Sequence, residues 1–367
     1  MKPDNHPPFV YITPYYEPNV HSGANRRFVE LYSRFYRDYP NDFTLIVAHG
    51  KIPPGYTGKV IEVDYEFNHL SKFKATQQIA KALDSLPPSI VICESIPIPF
   101  KALKRHTHFQ VAYDFRYFRN ESKGFFYRLL FSSFLKQQWS KSEFMVTCSN
   151  YSIDELKLHV GYDPKRVTKS YFGIDEKVLD IAHTPAPTKD VDIIYVGHYE
   201  KRKNHEPLLR AIALIDKNLK VRFIGRDLGL KDSLTKLKDE LGLTNTSITT
   251  ENIPDSELWD LYRRSRVFAY PSVYEGFGIP LIEALALDIP VVCTDMNVFH
   301  EVGNTFASFF NPNDPADIAE KIKMALENPI TPPAEKIRSH LEKFFWENIY
   351  NKFVEDLILF TEKKKRP

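Results

Sequence analysis

Cysteine is scarce in this chain of 367 residues, where Cys93, Cys148 and Cys293 stand singly inside apolar segments. Their spacing fits no zinc or disulfide framework, so they read as buried thiols in a reducing compartment. Long apolar runs are missing too, and none approaches the ~20 residues needed to cross a bilayer. The opening MKPDNHPPFVYITPYY has no apolar signal core, which implies a cytoplasmic protein. Neither sign of charge dominates: 49 Lys and Arg against 47 Asp and Glu leave a formal net charge of +2. That balance, with no nucleic-acid-binding motif, argues against nucleic acid as a partner. No G-x-G-x-x-G follows a strand candidate, which argues against a dinucleotide dehydrogenase. Repeats and low-complexity tracts are absent.

What remains is an ordinary globular composition, 43% apolar and 26% charged, in a chain long enough for two domains. Short apolar, β-rich runs alternate with amphipathic ones, the pattern of parallel α/β architecture. Strands are expected at 9–15, 43–48, 59–63, 90–94, 109–114 and 144–148, with helices at 25–37 and 72–83. DIAHTPAPTKDVD then reads as a linker, and the pattern restarts. Strands follow at 192–196, 220–224, 247–250, 267–270 and 290–293, with helices at 205–214 and 233–241. The expected division is a first domain at 1–178, a linker at 179–190 and a second domain at 191–343. Residues 344–367 form an amphipathic helix with the basic tail Lys363, Lys364, Lys365 and Arg366.

The stretch YEGFGIPLIEALALDIPVV, residues 274–292, carries the sharpest chemistry. Two glycines and Pro280 open a helix, and a helix N-terminus favours anions. Glu275 stands just before the glycines and Glu283 inside the helix, which a site for phosphate alone does not need. A nucleotide sugar satisfies both features: its diphosphate meets the helix end, and its hydroxyls donate to the two carboxylates. Gly276 and Gly278 allow close approach of the backbone.

With its surroundings, SRVFAYPSVYEGFGIPLIEALALDIPVVCTD, this stretch resembles the E-x7-E block of retaining glycosyltransferase family 4. The resemblance implies a GT-B fold: two Rossmann-like domains facing each other across a cleft, with a C-terminal helix around Trp346 crossing back to the first. It implies Glu275 beside the donor sugar, Glu283 on the ribose, and the amides of Gly276, Phe277, Gly278 and Ile279 on sugar and diphosphate. Asp288 departs from the family, where Gly is usual. In IIYVGHYEKRKNHEPLLRAI, a turn at Gly197 precedes Arg202 and Lys203, which resemble the family's basic pair for the leaving diphosphate. His198 stands where many relatives carry Arg. The N-terminal loop resembles the family's glycine loop, with Gly23 as its match over the donor phosphates. Base contacts fall around Glu251, Asn252 and Ile253.

FQVAYDFRYF ends in Tyr113 and Asp114, where relatives commonly read His-Asp. Asp114 is a candidate for positioning the acceptor hydroxyl, or a cap for the next turn. The resemblance implies a front-face route in which the leaving phosphate takes the acceptor proton, so no imidazole is required. Asp190 and Asp192 spell D-x-D, but before a strand and beside the linker, which fits a strand-entry role. No metal is expected, because cationic side chains face the diphosphate.

Between Lys101 and Phe144, nine Lys and Arg against three Asp and Glu are interleaved with aromatics. This suits either peripheral contact with an anionic membrane at its cytoplasmic face or a partly buried helix with a basic outer side. The leading expectation is a retaining, metal-independent hexosyltransferase acting on a saccharide or lipid-linked acceptor in cell-surface polysaccharide or lipopolysaccharide assembly. The Arg-Lys-Asn form leans towards GDP-mannose as donor. A transferase with a small soluble acceptor and a catalytically silent nucleotide-sugar-binding protein are the alternatives.

Overall fold

The structure, a computed structural model, describes residues 6–18, 22–66, 69–94, 98–113, 115–118, 125–182, 184–185, 187–250, 253–329 and 332–365. The side chains of residues 69–72, 100, 117, 125–131 and 365 are outside that set. The chain separates into two compact units, Met1–Gly173 with Trp346–Pro367, and Ile174–Phe345.

In the first unit the strands are β1 (Phe9–Thr13), β2 (Phe43–Ala48), β3 (Lys59–Val63), β4 (Ile90–Glu94), β5 (Thr107–Val111), β6 (Phe144–Thr147) and β7 (Val167–Lys169). They form one parallel sheet in the order β3-β2-β1-β4-β5-β6-β7. FVYIT and IVICE are buried at every position, as strands covered on both faces must be. The helices are α1 (Gly23–Asp38), α2 (His69–Ser85), α3 (Phe100–Leu103), α4 (Phe125–Lys141) and α5 (Asn150–Val160). Helix α1 starts where Ser22 accepts a hydrogen bond from the Asn25 amide, and it buries Phe28, Leu31, Tyr32 and Phe35 at helical spacing.

The second unit repeats the plan with α6 (Lys177–Ala182), β8 (Val191–Val196), α7 (His205–Ile215), β9 (Val221–Ile224), α8 (Lys231–Glu240), β10 (Thr246–Thr249), α9 (Asp255–Arg264) and β11 (Ser265–Tyr270). It continues with α10 (Ile279–Ala286), β12 (Val291–Thr294), α11 (Asn297–Gly303), β13 (Ala307–Phe310), α12 (Pro315–Glu327) and α13 (Ala334–Leu341). Its parallel sheet runs β10-β9-β8-β11-β12-β13. The expected linker stretch holds the end of α6 and the run into β8.

The last helix, α14 (Trp346–Lys365), belongs to the first unit. Its Tyr350, Phe353, Val354, Leu357 and Ile358 join Phe9, Phe35 and Phe43 in one core. At roughly 2 kcal/mol for each buried side chain, α14 is integral to that unit. Lys364, expected in a basic tail, donates to the His106 carbonyl at 2.7 Å and pairs with Glu143. Arg366 lies outside the described residues.

Candidate active site

In the second unit the chain leaves β8 for β9 and β10, then returns to β11 on the opposite side of β8. Such a reversal opens a crevice beyond the carboxyl ends of the strands, where open α/β sheets take their ligands. Two loops frame it, residues 197–204 after β8 and 271–278 after β11. They are laced together: the Val273 amide donates to the Arg202 carbonyl at 2.8 Å, and Arg202 Nη1 donates to the Tyr274 carbonyl at 2.9 Å. Gly225, just past β9, is pressed against the first loop, since a Cβ there would lie 1.9 Å from the Gly197 oxygen. Gly278 holds φ +108° ahead of α10, a conformation that glycine adopts without a Cβ clash.

Between these loops lies a knot of buried charge. Glu275 is 8% exposed and Lys203 5%. The Glu275 Oε1 accepts from Lys203 Nζ at 2.5 Å and from the Tyr270 hydroxyl at 2.9 Å, while Oε2 meets Arg202 Nη1 at 3.0 Å. Burial pushes the Glu275 carboxyl upward, but Lys203 and Arg202 outweigh it and hold the pKa down at about 2. Burial lowers the Lys203 pKa more than Glu275 restores it. The two shifts pull the pair in opposite senses. The depressed carboxylate decides its state, because three donors converge on it. Burial and then Lys203 lower the His205 pKa to about 3, leaving a neutral ring packed against Tyr195 and Tyr199. Burial, followed by Lys203, also lowers the His198 pKa, and its Nδ1 is buried without a partner.

The first unit has its own reversal, between β1 and β4. Glu94 at the end of β4 accepts from the Tyr11 hydroxyl at 2.8 Å, the Thr13 hydroxyl at 3.1 Å and the Tyr113 hydroxyl. Arg27, wholly buried on α1, donates to the Tyr113 hydroxyl at 2.9 Å and to the Ser170 hydroxyl at 2.8 Å, and lies 3.8 Å from Glu94. Burial disfavours the Arg27 charge, but Tyr113, Tyr11 and Glu94 more than offset it, so its pKa is raised. Tyr113 is thus clamped by its hydroxyl, with its ring against Phe172.

Residues 178–343 match the family model described as Glycosyl transferases group 1. They form a glycosyl transferases group 1 domain. Over 189 residues, 50% of this chain and 22% of the relative, the sequence is 33% identical to serotype-specific mannosyltransferase WbdA of Escherichia coli. Over 230 residues, 58% of this chain and 60% of the relative, it is 27% identical to O-antigen chain mannosyltransferase B of the same species. The chain therefore spans less than two thirds of the length of either relative. The structure of Anabaena Alr3699/HepE in complex with UDP and glucose aligns with a TM-score of 0.71, covering 96% of this chain and 99% of that one at 15% identity. The fold is GT-B.

Within the group 1 domain, Glu275, Arg202 and Lys203 come together as one cluster, and Gly197 directly follows β8, where a Cβ would lie 3.5 Å from Lys203 Nζ. Gly276, Phe277, Gly278 and Ile279 lead into α10, with Phe277 buried against the Phe344 ring at 5.5 Å. Glu283 lies on α10 and is buried; after burial itself, its charge is the largest cause of the raised Tyr262 pKa. Ile253 sits half-buried between β10 and α9, whereas Glu251 and Asn252 are outside the described residues. Asp288 has φ +56°, the left-handed conformation that explains why glycine is usual there. Asp190 pairs with Arg264, and Asp192 with Arg266 at 2.9 Å, so both D-x-D carboxylates hold the entry to β8. In the first unit, Gly23 is the first residue of α1 and Asp114 lies outside the described residues. Sequence reasoning missed Tyr270, Glu200, Arg27 and Glu94. Only Glu94 carries a signal, as a carboxylate closing an otherwise apolar strand.

Proposed function

We propose that the chain is a retaining hexosyltransferase that moves a hexose from a nucleoside diphosphate sugar to a hydroxyl of a saccharide or lipid-linked glycan. The observation that carries this reading is the Glu275–Arg202–Lys203 knot beside the N-terminus of α10, at the chain reversal of a group 1 domain. A carboxylate held ionised accepts hydrogen bonds from sugar hydroxyls. The two cations and the α10 N-terminus take the diphosphate. As the bond from C1 to the phosphate oxygen breaks, the acceptor oxygen bonds to C1 on the same face, and its proton passes to the departing phosphate. In this scheme positive side chains and helix dipoles bear the developing charge, with no divalent metal. Glu283 is assigned to the ribose and Gly197 to the phosphates; the resemblance of their sequence stretches to the family assigns Gly23 to the phosphates and Asp114 to the acceptor hydroxyl.

Mannose from GDP-mannose is the favoured donor. The Arg-Lys-Asn turn and the mannosyltransferase names of the two relatives support it, and the O-antigen name of one supports assembly of a cell-surface polysaccharide. Contact with an anionic membrane at its cytoplasmic face rests on the basic, aromatic sequence around α4. Among the described residues no helix is long and apolar enough to cross a membrane.

Calorimetric titration with UDP, GDP, ADP and dTDP in EDTA tests the reading, followed by transfer assays with the sugars of whichever nucleotide binds. One nucleotide should bind in the micromolar range without metal and be weakened by Glu283→Ala. Failure of all four to bind, or a requirement for a divalent ion, would refute it.

A further inference from the structure

Arg202 is engaged at both terminal nitrogens of its guanidinium group, while its Nε is buried without a partner. One terminal nitrogen serves Glu275 and the Tyr274 carbonyl, and the other meets Glu200 Oε1 at 2.5 Å. The side chains of Arg202 and Glu200 are 15% and 18% exposed, so this pair is shielded from water far more than an ordinary surface pair. Two carboxylates thus face two cations, Arg202 and Lys203, and their charge is balanced before any ligand arrives. A diphosphate entering the same place would give a surplus of negative charge in a partly dry pocket. One carboxylate must leave, and the geometry identifies which. Glu275 is tied to Lys203, Arg202 and Tyr270. Glu200 is the more exposed of the two and sits on the first loop, where its backbone carbonyl holds the turn by accepting from the Lys203 amide at 3.0 Å.

Resting on the donor-site reading above, we infer that Glu200 is an internal competitor for the diphosphate, occupying Arg202 until the ligand displaces it. It sets the affinity of the site for phosphate without touching the sugar, and it keeps the guanidinium from trapping stray anions. Displacement on binding and return on release also give the nucleoside diphosphate product an intramolecular rival for Arg202.

The test is calorimetric titration of the wild type, Glu200→Gln and Glu206→Gln with the best binder among UDP, GDP, ADP and dTDP, and with its nucleoside lacking phosphate. Glu206 pairs with Arg210 on an exposed face of α7 and serves as the control. Glu200→Gln should tighten diphosphate binding by about three- to tenfold, the scale of one partly shielded ion pair removed from competition. Nucleoside binding, and every affinity of Glu206→Gln, should stay unchanged. A folding defect weakens binding, so a gain cannot come from misfolding. Glu200→Asp, which withdraws the carboxylate by one methylene, should show a smaller gain. If neither Glu200 variant tightens binding while the wild type binds, Glu200 orients Arg202 and the inference is overturned alone. If no diphosphate binds the wild type, the donor-site reading falls and takes the inference with it.

Discussion

Replacing Lys203 by methionine keeps most of its volume and removes only the charge. Glu275 would keep Arg202 at 3.0 Å and Tyr270 at 2.9 Å but lose its 2.5 Å ammonium partner. Breaking a buried ion pair from one side costs about 3–5 kcal/mol. The surviving partners place this case at the lower end, about 3 kcal/mol. For a unit the size of Ile174–Phe345, each kcal/mol shifts the melting temperature by about 2–4 °C, so a fall of about 6–12 °C is expected by calorimetry. The decisive comparison is Lys203→Met with Glu275→Gln. Once both charges are gone, stability should return to within about 1 kcal/mol of wild type, because no buried carboxylate is left uncompensated. A double variant as unstable as the single one would show that Lys203 acts through packing, and the charge argument would fail.

The pH response follows from the same carboxylate. Its folded pKa of about 2 lies below the ordinary carboxylate value, so its stabilisation is complete above pH ~4.5 and disappears as pH falls towards 2. Urea midpoints between pH 5 and 2.5 should show a loss of about 2 kcal/mol that Glu275→Gln lacks. Gly225→Ala would drive a methyl group into the Gly197 carbonyl, and nucleoside diphosphate affinity should fall on the order of tenfold or more in the same titrations. Asp288→Gly relieves a left-handed residue after α10 and should raise thermal stability by about 0.5–1 kcal/mol; a loss would mean that the Asp288 side chain stabilises the helix end.

Apolar runs placed the strands well. FTLIVA and IVICE coincide with β2 and β4, because uninterrupted β-branched sequence buried on both faces has few other uses. VTK and ASFF were not anticipated as β7 and β13. Each is short and lies at a sheet edge, and three or four residues establish no period. Within the site, the glycines and Glu275 were legible through local spacing, and Arg202 and Lys203 through their turn. The tertiary pairings were not. Tyr270 joins Lys203 across 67 positions and Arg27 reaches Ser170 across 143, and neither sequence neighbourhood hints at its partner. Burial of Lys203 likewise contradicts its setting, a run of three basic residues that reads as a solvated turn.

The first unit takes its core from two stretches separated by the whole second unit, and this bears on how the protein is made. Phe9, Phe35 and Phe43 leave the ribosome before the second unit, but Tyr350, Phe353 and Leu357, which cover them, follow only after it. The second unit is one uninterrupted run, closed on itself where the Ile174 amide donates to the Phe344 carbonyl at 2.9 Å. Order of birth therefore differs from order of completion. The unit begun second can finish first, while the unit begun first holds an open aromatic surface until the second has been made.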